Sequence, residues 1–93
     1  MITSFRDSET EKVFGRGFSR RLPNDIQSVA LRKLRMLNNA VDLNDLRSPP
    51  ANRLEKLSGD RQGQYSVRIN DQWRVCFAWR QGNAYEVEIC DYH

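Results

Sequence analysis

The sequence predicts an α+β fold, a small domain with two N-terminal helices packed on one face of a mainly antiparallel sheet, in the order β-α-α-β-β-β-β. Two patterns carry this reading. From Gln64 to His93, apolar and polar residues alternate with period two in three runs, marked by Tyr65, Val67 and Ile69, by Val75, Phe77 and Trp79, and by Tyr85, Val87 and Ile89. Earlier, Ile26, Val29, Ala30, Leu34, Leu37 and Val41 recur at helical spacing and form one apolar stripe. The strand face and the helix stripe should bury each other. A length of 93 residues allows one domain, residues 1–93, with a modest core.

The first element, Met1 to Arg6, reads as a short strand that joins the sheet at a position the sequence leaves open. Ser8-Glu9-Thr10-Glu11 matches a capping box, in which Ser8 caps a helix and Glu11 reaches back to a free backbone N–H. That helix runs through Val13 and Phe14 and stops near Gly15 and Gly17. Ser19-Arg20-Arg21 follows as a basic loop, either a solvated linker or a phosphate contact. Pro23-Asn24-Asp25 opens the longer helix, with proline and an acidic residue where the first turn favours them. Arg32, Lys33 and Arg35 lie off its apolar stripe and read as a solvated face, with an RNA backbone as the alternative partner. The helix ends near Asn38-Asn39-Ala40, and Asp42 to Leu46 forms a further half-turn or short helix. Pro49 and Pro50 make Arg47 to Asn52 a loop. Arg53 to Leu57 is a short edge strand or irregular chain, and Ser58 to Gly63 is a turn leading into the alternating region.

Asn70-Asp71-Gln72 and Gln81-Gly82-Asn83 have turn composition, so the last three strands form a meander of two hairpins. Pivoting the first hairpin on Asp71 sets Val67 against Val75 and Tyr65 against Phe77, which keeps the apolar sets on one face. The same register sets Arg68 against Arg74. Like charges facing each other on a sheet destabilise it, so the pair points to an anion supplied from outside the chain. Pivoting the second hairpin on Gly82 sets Phe77 against Val87, Val75 against Ile89 and Arg74 against Cys90. Asp91, Tyr92 and His93 then leave the sheet beside the two arginines.

Hydrophobic content of 39% and charged content of 29% fit an ordinary folded chain rather than disorder. No apolar run approaches a membrane span and the N-terminus has no signal-peptide core, so a cytoplasmic location without membrane contact is expected. A net charge of +3 and a pI of about 9.2 favour a polyanionic partner. Cys76 and Cys90 fall on the polar face of neighbouring strands, not opposite each other, and are expected as free thiols in the cytoplasm. With one histidine and no close spacing they give no zinc signature, and no cofactor is expected.

Several segments together resemble a known family. They are Asn52 to Leu57, Gly59-Asp60-Arg61, Tyr65 to Arg74 with its Gln72-Trp73-Arg74 segment, and the terminal Asp91-Tyr92-His93. They resemble the HigB branch of the RelE-like toxins, which belong to bacterial type II toxin–antitoxin pairs. The resemblance implies a RelE-like fold and a ribosome-dependent mRNA endonuclease, an mRNA interferase that cuts A-site codons without metal and so blocks translation. It also implies a HigA-like antitoxin with a helix-turn-helix, which holds the toxin inactive and carries the complex to operator DNA. By position, Arg74 matches the family arginine after the tryptophan, and Asp91, Tyr92 and His93 match the catalytic tripeptide. Where some members carry lysine before the Gly-Asp-Arg turn this chain has Ser58, and Lys56 is the nearest lysine. Arg68 stands where some members have an uncharged residue.

Metal-free RNA cleavage uses the RNA's own 2′-OH to attack the adjacent phosphorus and expel the 5′-oxygen, leaving a 2′,3′-cyclic phosphate. It needs a base, an acid and fixed positive charge for the crowded phosphorane. Arg68 and Arg74 are the candidate charge stabilisers, since the guanidinium fork binds phosphate oxygens bidentately and keeps its charge. The bland alternative is an ion pair with Glu86, Glu88 or Asp91. His93 titrates near neutrality and can be acid or base, its terminal carboxylate favouring the charged form and an acid role. Tyr92 can stack on a base or pass a proton, and Asp91 can orient His93 or act as base. Trp73 and Trp79 fall on the covered parity and read as core. Lys12, Arg16, Arg20, Arg21, Arg32 and Arg35 are ordinary surface charge or contacts to ribosomal RNA. Two other classes compete: a gyrase-poisoning toxin of ParE type, which shares the fold but generally lacks a clustered histidine, tyrosine and arginine set, and a non-catalytic basic RNA-binding module.

Overall fold

In the computed structural model, which describes residues 1–91, the helix stripe and the strand face close on each other. Helix α1 spans Ser8–Phe14 and helix α2 spans Gln27–Asn39, preceded by a 3-10 turn at Asn24–Ile26. Strands β1 (Glu55–Lys56), β2 (Gln64–Arg68), β3 (Trp73–Arg80) and β4 (Asn83–Asp91) follow, each antiparallel to the next, in the spatial order β1-β2-β3-β4. Ile26, Ala30, Leu34 and Leu37 from the helical side meet Val67, Val75, Phe77, Val87 and Ile89 from the sheet, and all are buried. Trp73 and Trp79 pack at the margin of this core, on the face their parity predicts. Among the described residues, no helix is long and apolar enough to cross a membrane.

The first hairpin has the expected register, with Tyr65 opposite Phe77, Val67 opposite Val75 and Arg68 opposite Arg74. Asn70 shapes its turn, the side-chain oxygen accepting from the N–H groups of Gln72 and Trp73 at 2.8 Å each. The second hairpin departs from expectation near its turn. Val75 still faces Ile89 and Arg74 faces Cys90, but beyond a bulge Ala78 faces Tyr85 and Trp79 faces Ala84. The turn is a tight one through Gln81 and Gly82, both at positive φ (52° and 80°), as two-residue hairpins require. The surplus residue is absorbed at Glu86, whose φ of 54° bends the strand. Tyr85, expected inward with Val87 and Ile89, is therefore turned to the opposite face, and Ala84 is buried in its place.

Other expectations are corrected by local geometry. Asp7, not Ser8, caps α1, accepting from the Thr10 N–H at 2.7 Å. Residues 2 and 5 make only isolated parallel bridges, to Ala84 and Val87 on the outer edge of β4, so the first strand is reduced to a ribbon along that edge. Helix α2 ends one residue before Ala40, whose extended backbone buries its own methyl and carries Val41 out to 80% exposure. Lys33, expected on a solvated face, is buried, because the Pro50–Asn52 turn folds over it. Cys76 and Cys90, expected as free thiols, are joined in a disulfide. They are diagonal neighbours on one face of β3 and β4 with Cα atoms 6.7 Å apart, within disulfide reach, and Leu57 packs over them.

Candidate active site

The strand alternation that sends Val67 and Val75 into the core sends Ser66, Arg68 and Arg74 to the other face, where Arg74 lies between Arg68 and Cys90. Arg74 is only 7% exposed. Its Nε donates to Ser66 Oγ at 2.6 Å, and its Nη2 donates to the Arg53 carbonyl at 2.6 Å and to the Ser66 carbonyl at 3.4 Å. Glu55 stands 3.9 Å from Nη1, on a side chain half exposed to water. Two of the short bonds that fix this guanidinium thus end on neutral oxygens, which orient it without cancelling its charge.

Arg68 faces Arg74 across the ladder, and its guanidinium pairs with Asp71 in the adjoining turn. That neighbour relieves part of the repulsion between the arginines, and it is neither the outside anion nor one of the carboxylates, Glu86, Glu88 and Asp91, that the sequence suggested. Glu88 shares the face but is engaged by Arg61 at 3.2 Å and Arg6 at 3.7 Å. Asp91 faces Trp73, one residue beyond the Cys90–Arg74 pair, and accepts a hydrogen bond from Gln72 Nε2 at 3.0 Å. Its pleat parity is that of Ile89, so Asp91 leaves β4 on the side opposite to Arg74. Lys56 is exposed on the edge strand opposite Tyr65, three residues along β2 from Arg68, a separation of about 10 Å. The register therefore brings Arg68 and Arg74 together and leaves Lys56 apart, while Asp91, expected beside the arginines, stands at the same end of the sheet but on its other face, one residue past Cys90 in the pleat. Tyr92 and His93 lie outside the described residues.

Three contributors were missed from sequence. Ser66 was legible, since the register sets it diagonal to Arg74 on the same face. Arg61 stands in the Gly-Asp-Arg turn with nothing to mark Glu88 as its partner. The Arg53 carbonyl had no signal at all, because it depends on a left-handed backbone (φ 44°, ψ 57°) at a residue with a side chain. Among the described residues, no group of three or more His, Cys, Asp or Glu side chains is arranged to hold a metal ion.

The family model for HigB-like toxins, described as "RelE-like toxin of type II toxin-antitoxin system HigB", matches residues 3–93. The chain belongs to this family. HigB-like relatives are also similar along most of their length. The chain is 39% identical over 85 residues to Toxin HigB-1 of Vibrio cholerae, covering 90% of each protein. It is 30% identical over 94 residues to Endoribonuclease HigB of Proteus vulgaris, covering all of both. Among solved structures, the YoeB–YefM toxin–antitoxin complex from Staphylococcus aureus contains a chain that superposes with a TM-score of 0.63 at 26% identity, covering 100% of this chain and 95% of that one. YafQ from E. coli superposes at a TM-score of 0.59 and 13% identity over 98% of this chain and 91% of its own, a likeness of fold alone. This HigB-like toxin thus has an α+β fold of the RelE and YoeB kind, two helices followed by a four-stranded antiparallel sheet.

Proposed function

We propose that this HigB-like toxin is an endoribonuclease that enters the A site of a translating ribosome and cuts the mRNA there by attack of the 2′-OH on the adjacent phosphorus. Residues 1–93 act as one domain in this reading. Arg74 stabilises the phosphorane, with Arg68 as its neighbour at the phosphate. Asp91, Tyr92 and His93 supply proton transfer and base stacking, His93 giving a proton to the leaving 5′-oxygen. Lys56 would add charge only if the RNA reached the edge strand.

The observation that carries the reading is the anchoring of Arg74. A guanidinium removed from water and oriented by Ser66 and Arg53 is a preorganised cation, which is what a transition state gaining negative charge requires. The full-length similarity to a protein named Endoribonuclease HigB supports the same chemistry. The partner proposed is a HigA-like antitoxin with a helix-turn-helix, which would also tether the complex to operator DNA. The ribosome and its mRNA are the substrate, in the cytoplasm and away from membranes.

The test is mRNA cleavage in chelator, with and without translating ribosomes. Cuts ending in 2′,3′-cyclic phosphate, appearing only with ribosomes, are expected. Arg74→Ala should slow cutting about 100- to 1,000-fold, the loss of one preorganised charge-stabilising group. His93→Gln should slow it about 100- to 10,000-fold, the loss of a general acid. An Arg74→Ala protein cutting at the wild-type rate removes that residue from the mechanism. Inhibition of gyrase with no cleavage overturns the reading.

A further inference from the structure

We infer that Lys33 and Asn52 are positioning residues for Arg74, forming a buried clamp that fixes the Pro50–Arg53 turn so that its carbonyl meets the guanidinium. The inference rests on the reading of Arg74 as a charge stabiliser.

An ammonium belongs in water, yet Lys33 is 6% exposed on α2. Its Nζ donates to Asn52 Oδ1 at 2.6 Å. Burial lowers its pKa, and the nearby charges of Arg32 and Arg68 lower it further. An apolar side chain would fill this site without that cost, so simple packing does not explain a lysine. Asn52 is fully buried, and its amide is fully used: Nδ2 donates to the carbonyls of Leu46 at 3.2 Å and Ser48 at 3.3 Å. One side chain therefore ties α2, the segment after it and the proline turn together.

The next residue is where this matters. Arg53 takes a left-handed backbone, held by its N–H donating to the Pro50 carbonyl at 3.1 Å. Such a conformation persists only when the surroundings impose it. The Arg53 carbonyl, so directed, accepts from Arg74 Nη2 at 2.6 Å. The path from the buried ammonium to the guanidinium is two short hydrogen bonds joined by the Asn52 side chain and the backbone from Asn52 to the Arg53 carbonyl. Lys33 is too deep to reach RNA itself, so its effect on cleavage passes through its neighbours, and the turn is the one it is bonded to.

The experiment is ribosome-dependent cleavage by Lys33→Met, Asn52→Ala and Arg74→Ala, read as kcat and KM, with NMR of the Arg74 guanidinium in each folded variant. Lys33→Met and Asn52→Ala should lower kcat about 10- to 100-fold while KM for ribosomes changes less than about 3-fold, as expected when a transition-state group is displaced. The Arg74 side-chain resonances should shift in both, a change that general destabilisation does not produce. Should Asn52→Ala fail to fold, Lys33→Met carries the test, because methionine fills the buried stem and leaves both donations from Asn52 in place. Wild-type kcat and unmoved Arg74 resonances in Lys33→Met, beside an inactive Arg74→Ala, overturn the clamp alone. A fully active Arg74→Ala overturns the nuclease role of Arg74 and the clamp with it.

Discussion

Arg74 is held by the shape of its side chain as much as by its charge. Nε and Nη2 diverge toward Ser66 Oγ and the Arg53 carbonyl, a fork that an ammonium cannot reproduce. Arg74→Lys is therefore expected to lose nearly as much cleavage as Arg74→Ala, within about 10-fold in the same assay, because one point charge cannot make both anchors. Lys33 gives a second prediction. Burial, with Arg32 and Arg68 adding to it, sets its folded pKa below the ordinary lysine value. Between that lowered value and the unfolded one, the unfolded chain binds more protons than the folded chain, so stability rises with pH across the window. Lys33→Met removes the proton uptake and should flatten the rise. Melting temperatures from pH 7 to 10.5 for the two proteins check this, and parallel curves would refute it. The environment of Lys33 was not legible in sequence, and that of Arg74 only through the strand register that sets Ser66 and Arg68 beside it. Lys33 lies between Arg32 and Arg35 in what reads as a charged surface, and only the proline turn folding over it makes it interior.

Elements were legible where two independent signals agreed. The β2–β3 register followed from alternation on both strands and a turn centred on Asp71, and its Arg68–Arg74 pair came with it. On the far side of β3 only the first part was recoverable. The bulge at Glu86 depends on a positive φ that no glycine or asparagine announces, so Tyr85 was assigned to the wrong face. At α1 the error was one of ambiguity, since Asp7 and Ser8 are both good caps and only geometry chooses. The choice can be measured. Asp7→Ala should cost about 1 kcal/mol by denaturant unfolding, the usual worth of a cap, whereas Ser8→Ala should stay within about 0.5 kcal/mol. Equal losses would mean that both residues cap.

At the scale of the whole molecule, the helices pack on each other and are tied to the sheet at particular points. Helix α1 is pinned where the Thr10 hydroxyl accepts from the Ile89 N–H at 2.9 Å, a buried bond across 79 residues of sequence. Helix α2 is laid over β3 and β4 through Leu34 and Leu37. The fold class was legible at this scale, because a helix stripe and a strand face of matching extent leave few other ways to hide apolar surface. The site was legible only in part. Its arginines follow from strand register, but the segment that anchors Arg74 is a loop whose path depends on tertiary contacts.

The N-terminal ribbon has one more effect. Met1 to Arg6 hydrogen-bonds along the outside of β4 through the N–H groups of Thr3 and Arg6, while the opposite border of the sheet is a strand of two residues carrying Lys56. Neither border offers a long bare row of amides to another molecule, which guards against accretion of copies. It also makes β4 the keystone, since it follows in the chain every segment that leans on it. During synthesis the helices and the first hairpin emerge without the strand that joins them. A chain stopped after residue 82 should melt without a cooperative transition by circular dichroism, whereas the whole chain should melt in one step. The earliest and latest parts of the described chain thus close the structure on each other, and the sheet face that carries Arg74 is complete only when that closure is made.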